Sequence, residues 1–220
     1  MKKITTFILS LICLNILADE IEEITILGTY LQNGELDSSP VELISKKRFD
    51  DFNISSIAEI SKFISAASGS HFQTNALGGQ DQGMASITLR GLDHSSTLIL
   101  INSKRQTFAG TAANDGEGYI DVNIIPEIAI QRIEILKEGA TSLYGSDAIA
   151  GVINFQLIEQ FKGMKLDIKH QDTDNYSQTD NNIGILFGNN VFGFDLVAGL
   201  QFLNRSSLPV SYTHLTLPTM

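Results

Sequence analysis

From residue 163 onward the chain alternates, and that alternation restricts its fold more than any other feature. Leu166, Ile168 and His170 fall on one side of an extended chain, with Lys165, Asp167, Lys169 and Gln171 on the other. Ile183, Ile185 and Phe187 alternate in the same way with Asn182, Gly184 and Leu186. Phe192, Phe194, Leu196, Ala198, Leu200 and Phe202 then share one face, opposed by Gly193, Asp195, Gly199 and Gln201. A period of two means β-strand. The last run exceeds the five or six residues usual in a soluble sheet, and it reaches the roughly 9–11 residues with which a tilted strand crosses a bilayer. A soluble β-sandwich hairpin is the alternative on pattern alone. Gly188-Asn189-Asn190 reads as the tight turn between the last two strands, and residues 172–179 as a polar turn.

The amino terminus favours the membrane reading. Lys2 and Lys3 precede an apolar stretch at 4–17, and Ala18 supplies a small residue just before Asp19 and Glu20. That is the pattern of an export signal over residues 1–18, too short for a spanning helix. The only cysteine, Cys13, lies inside it, so the mature chain would have neither disulfides nor thiolate metal sites. With 15 Lys and Arg against 25 Asp and Glu, the formal net charge is −10. Nucleic acid is thereby an unsuitable partner, because phosphate binding needs clustered cations.

Between these two regions, helices and strands intermix as in a small α+β domain at 36–158. Strands are expected at 40–45, 86–90, 97–101, 132–136 and 152–157. Ser56-Ile57-Ala58-Glu59 fits a capping box, followed by a helix with Ile57, Ile60, Phe63 and Ile64 on one face and an end near 65–68. A short helical segment begins at Pro126, and residues 140–144 form one helical turn. Residues 73–83 and 107–118 are Gly-rich loops. Arg90 and Arg132 sit in expected strands and need partners; Glu134, on the same strand face as Arg132, is one candidate. At 22–29 a β-prone run could be an ordinary edge strand or a segment that adds itself to a partner's sheet.

Catalytic patterns are sparse, and an enzyme is not expected. His71, His94, His170 and His214 are scattered without zinc spacing. Gly145-Ser146-Asp147 lacks the surroundings of a nucleophile elbow, so a hydrolase using Ser146 has no supporting arrangement. No metal site and no cofactor are expected.

Ile125-Pro126-Glu127-Ile128-Ala129-Ile130-Gln131-Arg132-Ile133-Glu134-Ile135-Leu136-Lys137-Glu138-Gly139-Ala140 resembles the plug signature of TonB-dependent receptors. So does Tyr144-Gly145-Ser146-Asp147-Ala148-Ile149-Ala150-Gly151-Val152-Ile153-Asn154-Phe155. Ile87-Thr88-Leu89-Arg90-Gly91 and Leu98-Ile99-Leu100-Ile101-Asn102 resemble two further plug motifs. The run Glu23, Ile24, Thr25, Ile26, Leu27 and Gly28 resembles the TonB box, which favours strand addition over the plain edge strand.

The resemblance implies an α+β plug domain followed by the first antiparallel strands of a transmembrane β-barrel, incomplete at three strands. Residues 19–35 would hold the TonB box and linker, 36–158 the plug, and 163–205 the first barrel strands. TonB, energised from the inner membrane, would pair with the box, and outer-membrane lipid would surround the strands. Loops at 73–83, 93–95 and 107–118 would meet a small-molecule substrate, with Gln73, Gln80, Asp93, His94, Asn114 and Asp115 as candidate contacts. Arg90 and Arg132 match arginines that, in the family, pair with barrel-wall carboxylates. The implied function is TonB-dependent uptake of a scarce nutrient, with siderophore, vitamin and oligosaccharide classes all open. A plug-only periplasmic binding or signalling module is the rival. Residues 208–220 lose the alternation and contain Pro209 and Pro218, so a truncated or misassembled frame is expected, with 206–220 an unreliable or foreign tail.

Overall fold

A computed structural model describes residues 41–51, 54, 56–70, 84–113, 116–172, 179–191 and 193–206. The expected signal, the TonB-box run, Gln73, Gln80, Asn114, Asp115 and the tail from 207 lie outside the described residues.

Two sheets organise what is described. The first contains β1 (Val41–Ser45), β2 (Thr97–Ile101), β3 (Lys104–Arg105), β4 (Ile130–Leu136) and β5 (Gly151–Leu157), in the order β1-β4-β5-β2-β3. Only the β2–β5 pair is parallel. A two-residue turn joins β2 to β3, with Asn102 and Ser103 both at positive φ (47° and 61°). This is the primed-turn geometry whose twist matches that of a hairpin.

Alternation along these strands gives the sheet two buried faces. Ile133, Ile135, Ile153, Phe155 and Ile99 point into one core, which the 3₁₀ turn Ile57–Phe63 covers through Ile57 and Ile60. Leu136, Val152, Leu98 and Leu100 point into a second core, closed by α2 (Thr141–Tyr144) and Ala148. The only other α-helix among the described residues, α1 (Lys46–Asp51), directly follows β1.

The second sheet is an antiparallel meander of β6 (Gly163–Asp172), β7 (Thr179–Val191) and β8 (Phe194–Arg205). At about 3.3 Å per residue, the 13 residues of β7 span roughly 40 Å, more than the hydrocarbon core of a bilayer. Along β7 every second residue from Asp180 to Gly188 is buried, and those between are exposed. Leu186, on the face turned to the first sheet's domain, is 0% exposed, whereas Ile168, Leu200 and Phe202 on the other face are 66%, 72% and 65% exposed.

Four local expectations are corrected. Residues 57–63 are 3₁₀ rather than α-helix, and the Ser56 side chain makes no capping bond. The Glu59 carboxylate, which a capping box needs, is instead turned toward Lys62 and Arg205, 3.5 Å and 3.7 Å away. Residues 86–90 do not form a strand, because side chains take the place of ladder partners. Ser70 Oγ accepts from Thr88 N (3.0 Å), and Thr97 Oγ1 accepts from Leu89 N (3.0 Å). Arg90 consequently sits in a turn at φ 59° and is exposed.

The tight turn at 188–190 is displaced, since β7 runs on to Val191 and pairs it with Phe194. Asn190 fixes the reversal from within the strand, accepting from Gly193 N (3.2 Å) and donating to Asp195 Oδ1 (2.7 Å). Ser206 still belongs to the meander: its amide donates to Thr179 O (2.9 Å) and its hydroxyl accepts from Thr179 N (2.8 Å).

Candidate functional site: the seam between domain and strand wall

The two sheets meet at the turn Glu127–Ala129, immediately before β4. Ile128 and Ala129 pack on Leu186 of β7, with Phe161 and Val197 around them. Two glycines permit this approach. A Cβ on Gly184 would lie 3.2 Å from Ile128 Cβ, and one on Gly199 would lie 3.3 Å from Ala129 Cβ. A side chain at 184 or 199 would require the turn to give by a few tenths of an ångström.

At the centre of the seam Glu127 is 2% exposed. Its Oε1 accepts from Lys169 Nζ of β6, and its Oε2 accepts from Asn182 Nδ2 of β7 (3.3 Å). Its backbone N–H donates to Gln201 Oε1 of β8. Lys169 Nζ also donates to Ile54 O (2.9 Å). Burial pushes the Glu127 carboxyl above its ordinary value, against the opposing pull of Lys169. Taking this pair out of water carries a desolvation cost that the contact with Lys169 opposes. Nearer the 173–178 end, Arg205 of β8 bonds Asp180 of β7 at 2.7 Å and approaches Glu59.

A second polar network lies inside the domain. Arg132 Nε donates to Glu134 Oε1 (2.9 Å), and Asn154 Nδ2 donates to Glu134 Oε2 (3.0 Å). Asn154 Oδ1 accepts from Ser103 N (2.9 Å), and Asn102 Oδ1 accepts from Leu157 N (2.7 Å). The β2–β3 turn is thus tied to β5. Arg90, by contrast, extends to the carbonyl of Ile149.

Two of the loops expected to meet ligand come together. Ser95 Oγ donates to Glu117 Oε2 (3.2 Å), joining the 93–95 turn to the 107–118 loop. Asp93 precedes a short 3₁₀ turn and is exposed, and His94 Nδ1 hydrogen-bonds Ser86 Oγ at 2.9 Å. The longer loop is closed on itself by Ala109 N to Tyr119 O (2.8 Å) and Ala113 N to Glu117 O (2.9 Å). Beside these loops an open cleft of about 290 Å³ is lined by Ser95, Arg105, Phe108 and Asp147, among others. Burial likewise raises the carboxyl of Asp121, opposed by the Asn123 and Ala85 amides. Ser146 Oγ donates to Asp147 Oδ1 (3.3 Å), and Asp147 is itself held by Arg105 at 2.7 Å. That arrangement offers Ser146 a carboxylate acceptor already engaged, not an imidazole base.

Sequence reasoning did not single out Glu127, Lys169, Asn182 or Gln201. Their one visible signal was a carboxylate within the apolar run 124–130, and inward-facing polar residues on strands otherwise apolar outside.

A small α+β domain keyed to one face of a three-stranded meander whose other face is apolar fits a plug set against the first strands of a membrane barrel. The TonB-dependent Receptor Plug Domain family matches residues 36–152. The chain belongs to that family, whose relatives are outer-membrane receptors and transporters.

Among curated relatives, the iron-regulated outer membrane virulence protein of Vibrio cholerae serotype O1 is 48% identical over 69 residues, 31% of this chain and 11% of the relative. The vitamin B12 transporter BtuB of Vibrio vulnificus is 30% identical over 127 residues, 58% of this chain and 19% of the relative. The chain therefore matches under a fifth of either relative's length. The crystal structure of the ferric enterobactin receptor PfeA of Pseudomonas aeruginosa shares the fold, with a TM-score of 0.61 at 19% identity over 78% of this chain and 25% of that one. The siderophore receptor PirA of Acinetobacter baumannii gives 0.53 at 23% identity, covering 76% and 24%.

Proposed function

We propose that this chain is the plug and first wall strands of an outer-membrane receptor for TonB-dependent uptake of a scarce nutrient. The observation that carries the proposal is the two-faced meander. Its outer face bears exposed Met164, Leu166, Ile168, Phe194, Leu200 and Phe202, and its inner face is occupied by the family's plug domain. An apolar face of that extent in water is an aggregation hazard, whereas lipid solvates it. A plug acting alone in the periplasm would leave it uncovered.

Partner and ligand roles follow the same proposal. Glu23, Ile24, Thr25, Ile26, Leu27 and Gly28 form the TonB contact. The joined loops carrying Asp93 and His94, with Gln73, Gln80, Asn114 and Asp115, form the ligand surface. Arg90 and Arg132 belong to the plug's contact with the rest of the wall, with Glu134 holding Arg132 from inside the plug. Relatives named for iron regulation, vitamin B12 and ferric enterobactin put iron chelates and cobalamin first among substrates to try. The test is uptake of labelled ferric siderophores and cobalamin by the source strain with the gene intact and deleted. Loss of one of these on deletion supports the proposal; unchanged uptake of every scarce nutrient tried, oligosaccharides included, counts against it.

Ile24→Pro is expected to abolish both uptake and binding to the periplasmic domain of TonB, because proline removes a donor from the added strand. Unaltered affinity in a pull-down would remove the box from this segment.

A further inference from the structure

The turn that joins plug to wall makes two kinds of contact, one of shape and one of charge. Ile128 against Gly184 and Ala129 against Gly199 are apolar contacts. Strands repeat every two residues, so a slip to the next inward position, about 7 Å along the wall, would set Ile128 and Ala129 against the side chains of Asn182 or Leu186 and of Val197 or Gln201. It would also take the carboxylate of Glu127 from its cation. The inward neighbours of Lys169 on β6 are Asp167 and Gln171, which would repel Glu127 or offer it no charge.

We propose that Glu127 is the positioning residue that sets the plug's place on the barrel wall, through a socket to which β6, β7 and β8 each contribute one side chain. Lys169 and Asn182 hold the carboxylate, and Gln201 holds the backbone amide of the same residue. The raised carboxyl value agrees with a pair that costs desolvation and returns orientation. Lys46 also lies in its field, adding to Lys169, and Asp167 opposes them. This role rests on plug and wall belonging to one receptor, as proposed above.

Docking can be read by cross-linking in the full-length receptor. A Cβ at position 199 lies 3.3 Å from Ala129 Cβ, close to the roughly 3.5–4.5 Å of a disulfide. Cys13 is the only native cysteine in this sequence. In outer membranes, the pair Ala129→Cys and Gly199→Cys is expected to oxidise nearly completely. Glu127→Lys in that background is expected to lower the cross-linked fraction about tenfold, since reversing one partner leaves two buried cations together. Adding Lys169→Glu is expected to restore it, which a merely space-filling role for Glu127 would not produce.

Undiminished cross-linking in Glu127→Lys, or a charge swap no better than the single variant, would overturn the proposal. If Glu127→Lys keeps the receptor out of the membrane, assembly becomes the readout, and the swap must rescue it or the proposal fails. Neither readout needs TonB or substrate. A failure here therefore leaves the transport proposal standing, and normal cross-linking with uptake unchanged by gene deletion does the reverse.

Discussion

Replacing Gly151 with Val is expected to strip the receptor from the outer membrane almost completely. Gly151 opens β5 at φ 141°, a region closed to residues with a Cβ. A Cβ there would lie 2.3 Å from Leu136 O and 2.8 Å from Leu89 Cδ1. The carbonyl belongs to β4, the strand paired with β5 at the centre of the sheet, so it cannot move without parting the two. Backbone strain of about 1–3 kcal/mol and overpacking of a similar size combine to roughly 4 kcal/mol. Against a total stability of about 5–15 kcal/mol that is a large share. Gly110→Val is the control, since a Cβ there meets nothing within 4 Å. Immunoblots of outer-membrane fractions should show normal Gly110→Val and little Gly151→Val. Equal amounts of both would mean that the close β4–β5 approach is wrong.

Removing the Glu134 carboxylate is expected to be nearly as damaging, for an electrostatic reason. Glu134 is 1% exposed and holds Arg132 with one oxygen and Asn154 with the other. Asn154 in turn fixes the Ser103 amide in the β2–β3 turn. Glu134→Ala breaks a buried charge pair, a change that costs about 3–5 kcal/mol. Glu134→Gln keeps an acceptor and the volume and should cost less. The effect should also travel. Hydrogen exchange at Ser103, 31 positions earlier in the chain than Glu134, should accelerate sharply in Glu134→Ala. Protection there equal to that of the parent protein would deny that the network connects the two.

What the sequence disclosed and what it hid differ in the range of the interactions involved. Residues 183–187 and 194–202 could be read because the solvent on each side of a strand imposes a period of two on the chain itself. The strands at 132–136 and 152–157 could be read from β-branched content and flanking glycines, and the structure extends them to Ile130–Leu136 and Gly151–Leu157. Residues 86–90 looked like a strand by the same criteria, yet Ser70 and Thr97 side chains intercept their backbone groups. Glu59 looked like a capping residue, but Arg205 draws it away from 146 positions further along. Glu127 was hidden most completely. Its partners Lys169, Asn182 and Gln201 lie 42, 55 and 74 residues away, and only its place within the apolar run 124–130 sets it apart from a solvated turn residue.

The central claim is that the meander has lipid on one face and plug on the other. Single spin labels at positions 185, 200 and 202, and separately at 186 and 201, would test it in outer membranes by collision with oxygen, which partitions into lipid, and with a water-soluble nickel chelate. Labels at 185, 200 and 202 are expected to collide with oxygen and to be shielded from nickel, while those at 186 and 201 are shielded from oxygen. Ready collision of the 185, 200 and 202 labels with nickel would place that face in water and contradict it.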